Sequence, residues 1–128
     1  MPLDVQIDQK GSGLTEVTLI GRLDTTTAPE LERVLAGVVS QPGRSVRFEM
    51  SQLNYVSSMG IRVLFSAFKT LKQSNNLLLM VNLQPQIQKV FEIAQALPRE
   101  SIFASVKEAD EYFDAMQRKA LGKDNNRE

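Results

Sequence analysis

A strand pattern meets a helix pattern in the segment Asn54–Leu64, NYVSSMGIRVL. Upstream of it, residues 46–50 alternate between apolar and polar side chains, which is the period of a β-strand. Downstream, apolar residues recur at the spacing of a helix face. That predicted stripe consists of Ile61, Leu64, Phe65, Phe68 and Leu71. Ser57 or Ser58 is therefore expected at a helix N-terminus, where unpaired N–H groups and the positive end of the dipole would favour a phosphate.

The rest of the chain alternates between strand and helix patterns on both sides of this joint. A glycine-rich turn at residues 11–13 predicts that the first two strands pair as a hairpin. Residues 77–81 are apolar at every position, which indicates a strand buried on both faces. The helix after that strand is expected to close at Leu97-Pro98. The predicted order is ββαβαβαβα, with strands near residues 3–7, 14–20, 45–50, 77–81 and 102–104 and helices beginning near Thr27, Ser58, Pro85 and Ser105.

This order predicts a protein of the α/β class. The sheet should be mixed but mostly parallel, with right-handed crossovers and with helices packed against it. Two of the helix starts carry the spacing of a capping box, in which a hydroxyl residue is followed three positions later by Glu or Gln. These are Thr27 with Glu30 and Ser105 with Glu108.

Length and composition limit the possible functions. The 128 residues suit one core, and we expect a single domain over residues 1–121 with a polar, disordered tail over 122–128. Lys+Arg and Asp+Glu number 15 each, and this balance argues against nucleic acid or an anionic membrane as the partner. The chain has no His and no Cys, so neither a metal nor a cofactor is expected. Without a signal-peptide pattern or a long apolar run, we expect a cytoplasmic protein that does not insert into a membrane.

Four segments in combination resemble a known family, the STAS domains, and in particular the bacterial anti-sigma-factor antagonists. They are GRLD at residues 21–24, TAPEL at 27–31, FEMS at 48–51 and YVSSMGI at 55–61. The resemblance covers the chain from Leu3 to Met116. It implies a STAS-like fold and a regulatory binding module that is not an enzyme.

The resemblance also implies roles for individual residues. Ser58 matches the serine that a partner kinase phosphorylates, with Ser57 as the less favoured acceptor, and Asp24 matches an acidic residue of the neighbouring loop. The implied partner contacts are Asp24, Thr25, Ser57, Ser58, Met59, Gly60 and Arg62. The chain departs from the family pattern at Ser57, where Asp is usual, at Met59, where a hydroxyl residue is usual, and at Glu49, the acidic residue of the third strand.

Each of these residues also has a purely structural interpretation. Ser58 could simply cap the helix, and Asp24 could simply cap or turn its loop. A side chain at Gly60 could obstruct a docking partner, which is slightly favoured over simple tolerance of a helical glycine. Met59 could be an exposed contact or a core residue, and the sequence leaves both open.

The implied function is partner switching. The unphosphorylated protein would bind an anti-sigma factor that is also a serine kinase. Phosphate on Ser58, repelled by Asp24 and Glu49, would break that complex, and a PPM-type serine phosphatase would restore it. The alternative is a STAS interaction subunit of a lipid-transport or other signalling complex, without phosphorylation.

An enzyme with a serine nucleophile is the weakest hypothesis. The chain contains no His to act as a base, and Val56 stands where the motif Gly-x-Ser-x-Gly has its first glycine.

The first strand has a polar face and could be a sheet edge, so a monomer or a weak dimer is expected.

Overall fold

The computed structural model describes residues 2–11, 13–94 and 102–122. Within these residues it contains a mixed sheet and helices in the order ββαβαβαβα, which confirms the predicted fold class. The strands are β1 (Leu3–Lys10), β2 (Leu14–Leu23), β3 (Ser45–Val56), β4 (Leu78–Val81) and β5 (Ile102–Phe103). The helices are α1 (Ala28–Val39), α2 (Ser58–Gln73), α3 (Pro85–Ala94) and α4 (Val106–Gly122).

The sheet has the strand order β1-β2-β3-β4-β5. The β1–β2 hairpin is antiparallel, and each of the other neighbouring pairs is parallel, as predicted. Side chains of α1, α2 and α3 join the larger core on one face of the sheet. Helix α4 packs on the other face over a smaller core that includes Ala109 and Phe113. The sheet therefore lies between two unequal helical layers.

Strand β4 separates the two cores. All four of its residues are buried, which confirms the prediction from its unbroken apolar pattern. Leu78 and Met80 belong to the larger core, whereas Leu79 and Val81 belong to the smaller one. A strand covered on both faces needs no polar side, and this is why the alternation is missing there.

Strands β2 and β3 extend further than predicted, to Leu23 and Val56. Strand β4 pairs with β3 only as far as Glu49, so the later part of β3 has one parallel neighbour and carries exposed polar residues. Two register shifts between β2 and β3 also break the simple alternation. At Gly21 (φ 113°) a Cβ atom would lie 2.6 Å from the carbonyl oxygen of Pro2, so only glycine fits beside the start of the chain there.

Helix α2 is rotated relative to the predicted apolar stripe. Phe65 is exposed, and Ile61 and Phe68 are only partly buried. The helix instead buries Gly60, Val63, Leu64, Ala67 and Leu71. Small side chains on this face let the helix approach its neighbours closely. A prediction based only on the spacing of apolar residues does not take the size of the side chains into account.

The second predicted capping box is present at the start of α4. The Ser105 hydroxyl accepts a hydrogen bond from the backbone N–H of Glu108 (3.2 Å). The Glu108 carboxylate reaches back to the N–H of Ala104 (3.1 Å), one residue before the position that the motif predicts. The serine and the glutamate therefore both satisfy backbone donors at the start of this helix.

The chain boundaries fall partly outside the described residues. The predicted end of the third helix at Leu97-Pro98 lies outside them. Helix α4 continues to Gly122, one residue past the predicted domain boundary. Residues 123–128 also lie outside the described part, so the tail stays a prediction.

Candidate functional site

The two loops singled out by the sequence lie side by side at the carboxyl ends of β2 and β3. Leu23 and Val56 are in register, and the N–H of Ser57 donates to the carbonyl oxygen of Leu23 (2.8 Å). The backbone therefore brings Asp24 next to the start of α2, although 32 positions of the sequence separate Asp24 from Val56.

Asp24 organises the turn that leads into α1. Its Oδ1 atom accepts hydrogen bonds from the N–H groups of Thr26 and Thr27, each at 3.0 Å. The Thr27 hydroxyl donates to the carbonyl oxygen of Arg22 (2.8 Å) and accepts from the N–H of Asp24 (2.9 Å). Thr27 thus makes no side-chain cap to α1, and the predicted capping box with Glu30 is wrong. The hydroxyl turns back to the loop because Asp24 and Arg22 offer it partners there.

These contacts also affect the acidity of Asp24. The hydrogen bond from the backbone N–H of Thr27 stabilises the carboxylate, and further hydrogen bonds from Thr26 and Thr27 and the charge of Arg22 act in the same direction. They outweigh a smaller opposing effect of desolvation, so the pKa of Asp24 lies below its ordinary value. Asp24 is therefore ionised at neutral pH and presents a negative charge beside the serine loop, which we define as Ser57 and Ser58 at the start of α2.

The two serines have different roles in the helix start. Ser57 is the N-cap of α2, with extended backbone (φ −93°, ψ 169°), and its side-chain oxygen accepts from the N–H of Gly60 at 3.1 Å. Ser58 is the first residue of the helix, and its side chain is exposed. Among the described residues, no hydrogen bond engages the Ser58 hydroxyl. One serine therefore holds the helix end, and the other displays its hydroxyl to solvent.

Gly60 is buried against the β2 strand, which gives this glycine a packing role that the sequence did not predict. A Cβ atom there would lie 2.5 Å from Cγ and 2.9 Å from Cδ2 of Leu23, and 3.1 Å from the Leu23 carbonyl oxygen. Leu23 is fully buried. Any side chain at position 60 would collide with Leu23 in the protein's own core. The start of α2 can therefore pack on β2 only with glycine at this position.

The remaining predicted contact residues lie at the surface of the same region. Thr25 is exposed in the turn after Asp24, and Arg62 is exposed on the first turns of α2. Met59 has 38% of its surface exposed, which decides between the two open interpretations in favour of a surface position. Of the seven predicted contact residues, Gly60 is buried and Ser57 serves as the helix cap. The other five are accessible: Asp24, Thr25, Ser58, Met59 and Arg62.

Sequence reasoning missed the pair formed by Arg22 and Tyr55. The guanidinium carbon of Arg22 lies 4.1 Å from the centre of the Tyr55 ring, and its Nε atom is 3.8 Å from Oδ2 of Asp24. Tyr55 is 40% exposed. Both residues stand in the quoted segments, but their contact depends on the register after two shifts, which the sequence does not reveal.

Glu49 does not belong to this site. It lies eight residues before Ser57 on β3, roughly 25 Å away along an extended strand. Its carboxylate accepts hydrogen bonds from the side chains of Asn82 and Ser51 and from the N–H of Ser51 (3.0 Å). Partial burial raises the pKa of Glu49, but these bonds and the charge of Arg47 together hold it below its ordinary value. The expected repulsion of a Ser58 phosphate by Glu49 is therefore wrong.

The described part of the chain offers neither a cluster of metal ligands nor a membrane-spanning helix. Over residues 2–11, 13–94 and 102–122, no group of three or more Asp or Glu side chains is arranged to hold a metal ion. None of the helices there combines the length and the hydropathy needed to cross a bilayer.

The chain as a whole is similar to known proteins. The family model described as "STAS domain" matches residues 5–109. The chain belongs to the STAS domain family. Within that family it is 35% identical to BtrV of Bordetella bronchiseptica, which bears the name of an anti-sigma factor antagonist, over 85 residues that cover 66% of this chain and 73% of BtrV. It is 26% identical to the anti-sigma-B factor antagonist of Listeria monocytogenes, over 73% of this chain and 82% of that protein.

The STAS fold is also seen in solved structures of the anti-sigma factor antagonist SpoIIAA. The unphosphorylated form matches with a TM-score of 0.68 and 16% identity, covering 89% of this chain and 98% of the other. The phosphorylated form from Bacillus matches with a TM-score of 0.69 and 16% identity, covering 86% and 99%. At this identity the likeness shows the fold alone.

Proposed function

We propose that this STAS protein is an anti-sigma factor antagonist that acts by partner switching and is controlled by phosphorylation of Ser58. The observation that carries the proposal is the contrast between the two serines. Ser57 uses its oxygen to cap α2, whereas the Ser58 hydroxyl is exposed at the first helical position. A kinase can reach Ser58 without disturbing the helix end.

A phosphate on Ser58 would be tolerated by the protein itself. It would lie at the N-terminus of α2, where the dipole and the backbone N–H groups favour negative charge. The first turn of α2 contains no acidic residue that would oppose it. Phosphorylation should therefore leave the fold intact and change only the surface.

The same phosphate would disrupt a bound partner. It adds a charge of about −1.5 to −2 to a surface of small and apolar residues such as Met59. The ionised Asp24 in the adjacent loop already makes this edge negative, and Arg22 is held between Tyr55 and Asp24. A partner that buries the Ser58 hydroxyl would have to desolvate the phosphate, and the complex would dissociate.

The relatives named as anti-sigma factor antagonists support an anti-sigma factor as the partner. In this proposal the anti-sigma factor is also the serine kinase and binds the ATP. A PPM-type serine phosphatase removes the phosphate and restores binding. The STAS protein supplies no catalytic group and works as a binding module.

The test incubates the purified protein with anti-sigma serine kinases from its own organism and ATP, and maps the modified residue by mass spectrometry. We expect Ser58→Ala to abolish labelling. Ser57→Ala should still be labelled, although loss of the cap should lower its stability by about 1 kcal/mol. Equal labelling of Ser58→Ala and the wild type would refute the assignment.

A STAS interaction subunit of a lipid-transport or other signalling complex remains the second candidate. It needs the same exposed loops but no kinase. Stable association with a transport ATPase, unchanged by Ser58→Asp, would favour it over the switch. An anti-sigma kinase that binds the wild type and not Ser58→Asp would exclude it.

A further inference from the structure

Strand β1 forms one edge of the sheet. Its only neighbour among the strands that the structure describes is β2, so its outer backbone N–H and C=O groups face solvent. From Gln6 to Lys10 every residue is exposed. Ile7, at the middle of the strand, keeps 45% of its surface exposed. An open edge with a central apolar residue can accept a further strand.

The side chains of β1 alternate between the two faces of the sheet. Leu3 and Val5 pack against the larger core, so Ile7 points to the same side. The opposite side carries four polar residues, Asp4, Gln6, Asp8 and Lys10. This row places a carboxylate near one end and an ammonium group at the other.

The row is complementary to itself when a second copy runs antiparallel. With a two-fold axis through Ile7, Asp4 lies opposite Lys10 of the second copy, and Gln6 lies opposite Asp8. The two Ile7 side chains meet at the axis. Cross-strand pairs of opposite charge and of apolar residues each favour association by roughly 0.2–1 kcal/mol.

Other registers are worse for electrostatic and geometric reasons. An axis at Gln6 places Asp4 opposite Asp8 of the second copy, twice over, and an axis at Asp8 brings two aspartates together. Axes at Val5 or Gln9 leave a shorter overlap. Axes between residues would oppose side chains from different faces, which an antiparallel ladder does not allow. The charges therefore select the register centred on Ile7.

We propose that β1 pairs with β1 of a second copy, antiparallel and centred on Ile7, to form a homodimer with a continuous sheet. Charged residues on an edge normally prevent such pairing. Here the order of the charges places opposite charges face to face when the strand pairs antiparallel with itself. Lys10 already lies 3.7 Å from Asp8 and 3.8 Å from Glu16. In the dimer it would also face Asp4 of the second copy.

Because one pair of strands buries less surface than a standard interface, the dimer is weak. We expect a dissociation constant on the order of 10–100 μM. The pairing does not use Ser58, so we expect the dimer to form in both states of that serine. It gives the STAS module two copies of the serine loop in one particle.

Sedimentation of the full-length chain at rising concentration tests the proposal. Asp4→Lys and Lys10→Asp should each abolish the dimer, because each places like charges opposite one another. The double variant restores opposite charges and should dimerise like the wild type. Ile7→Asp should also abolish it by bringing two carboxylates to the axis.

Two variants control for net charge alone. Glu32→Lys on α1 and Lys69→Asp on α2 change the charge by the same amounts at exposed positions, and both should dimerise normally. Circular dichroism confirms that each variant is folded. A wild type that stays monomeric to about 1 mM, single variants that still dimerise, or a double variant that does not recover would each overturn the proposal.

Discussion

Gly60 and Leu23 form the contact on which the geometry of the serine loop depends. The glycine lets the first turn of α2 rest on the fully buried Leu23, and Ser57 caps the same turn by accepting from the N–H of Gly60. Ser58 is thereby held at the surface by two neighbours that are themselves fixed. The display of one hydroxyl is thus a product of packing as well as of sequence position.

This contact predicts an unusual response to alanine. Gly60→Ala should destabilise the protein by about 1–3 kcal/mol, because the new methyl group overlaps Leu23. Gly37→Ala in α1 is the control, since nothing lies within 4 Å of a Cβ there, and it should stabilise by about 0.5–1 kcal/mol through helix propensity. Urea denaturation measures both. The penalty of Gly60→Ala should shrink in a Leu23→Ala background; an unchanged penalty would contradict the contact.

Asp24 predicts a dependence of stability on acid. Because its pKa in the folded protein lies below the ordinary value of 3.8, the ionised form favours folding. This contribution is complete above the unfolded pKa and is lost as the pH falls through the folded one. Asp24→Asn keeps an oxygen for the turn but removes the charge. The difference in urea midpoint between wild type and variant should be constant near neutral pH and shrink below about pH 4. A gap that widens on acidification would contradict this.

At the scale of elements, alternation and apolar runs were sufficient to predict the order of strands and helices. The rotation of α2 was not predictable, because Phe65 and Phe68 fit a helical stripe as well as Gly60 and Ala67 do. Which of them faces the sheet depends on how close the helix can come to Leu23. The predicted Thr27 cap also depended on tertiary contacts that the local pattern does not contain. The Thr27 hydroxyl donates instead to the carbonyl oxygen of Arg22 across the turn.

Arg47 of β3 forms an ion pair that links helix α4 to the sheet. This arginine is buried; its Nη2 and Nε atoms contact Glu16 at 2.8 and 3.0 Å, and its Nη1 atom contacts Asp110 of α4. Glu16 is largely buried, whereas half of the Asp110 side chain is exposed. The network joins β2, β3 and α4 at one point.

The two carboxylates of this network should differ in their effects. Glu16→Gln should cost about 1–3 kcal/mol, because it weakens the bonds to a buried charge. Asp110→Asn should cost less than about 1 kcal/mol, because water screens that pair. Chemical denaturation at neutral pH compares them. Equal losses of unfolding free energy would contradict this, because the half-exposed Asp110 would then contribute as much as the buried Glu16.

For the molecule as a whole, the proposed switch changes charge and leaves the fold unchanged. Helix α2 contains Arg62, Lys69 and Lys72 but no acidic residue, although the protein is neutral overall. A negative group at Ser58 would therefore meet no acidic residue on its own helix, and Arg62 lies one turn further on. The family and the two adjacent loops could be recognised from sequence, but the choice of Ser58 over Ser57 gains physical support only from the cap.

Ser58→Asp tests this separation of fold and surface. The new carboxylate should stabilise the protein by about 0.3–1 kcal/mol, because it complements the helix dipole. It should at the same time weaken binding to the proposed anti-sigma partner. Thermal or urea unfolding and a binding titration measure the two effects. A variant that loses both stability and binding would indicate damage to the loop and not a switch.

The close approach of Pro2 to Gly21 has a practical consequence for anyone who fuses this protein to a reporter. Whatever precedes Leu3 leaves the sheet at the end of β2, within a few residues of Arg22 and Asp24. A bulky tag there would lie at the same end of the sheet as the serine loop and would hinder partners that approach it. Interaction screens that place the reporter before Pro2 should therefore miss partners that the untagged protein binds.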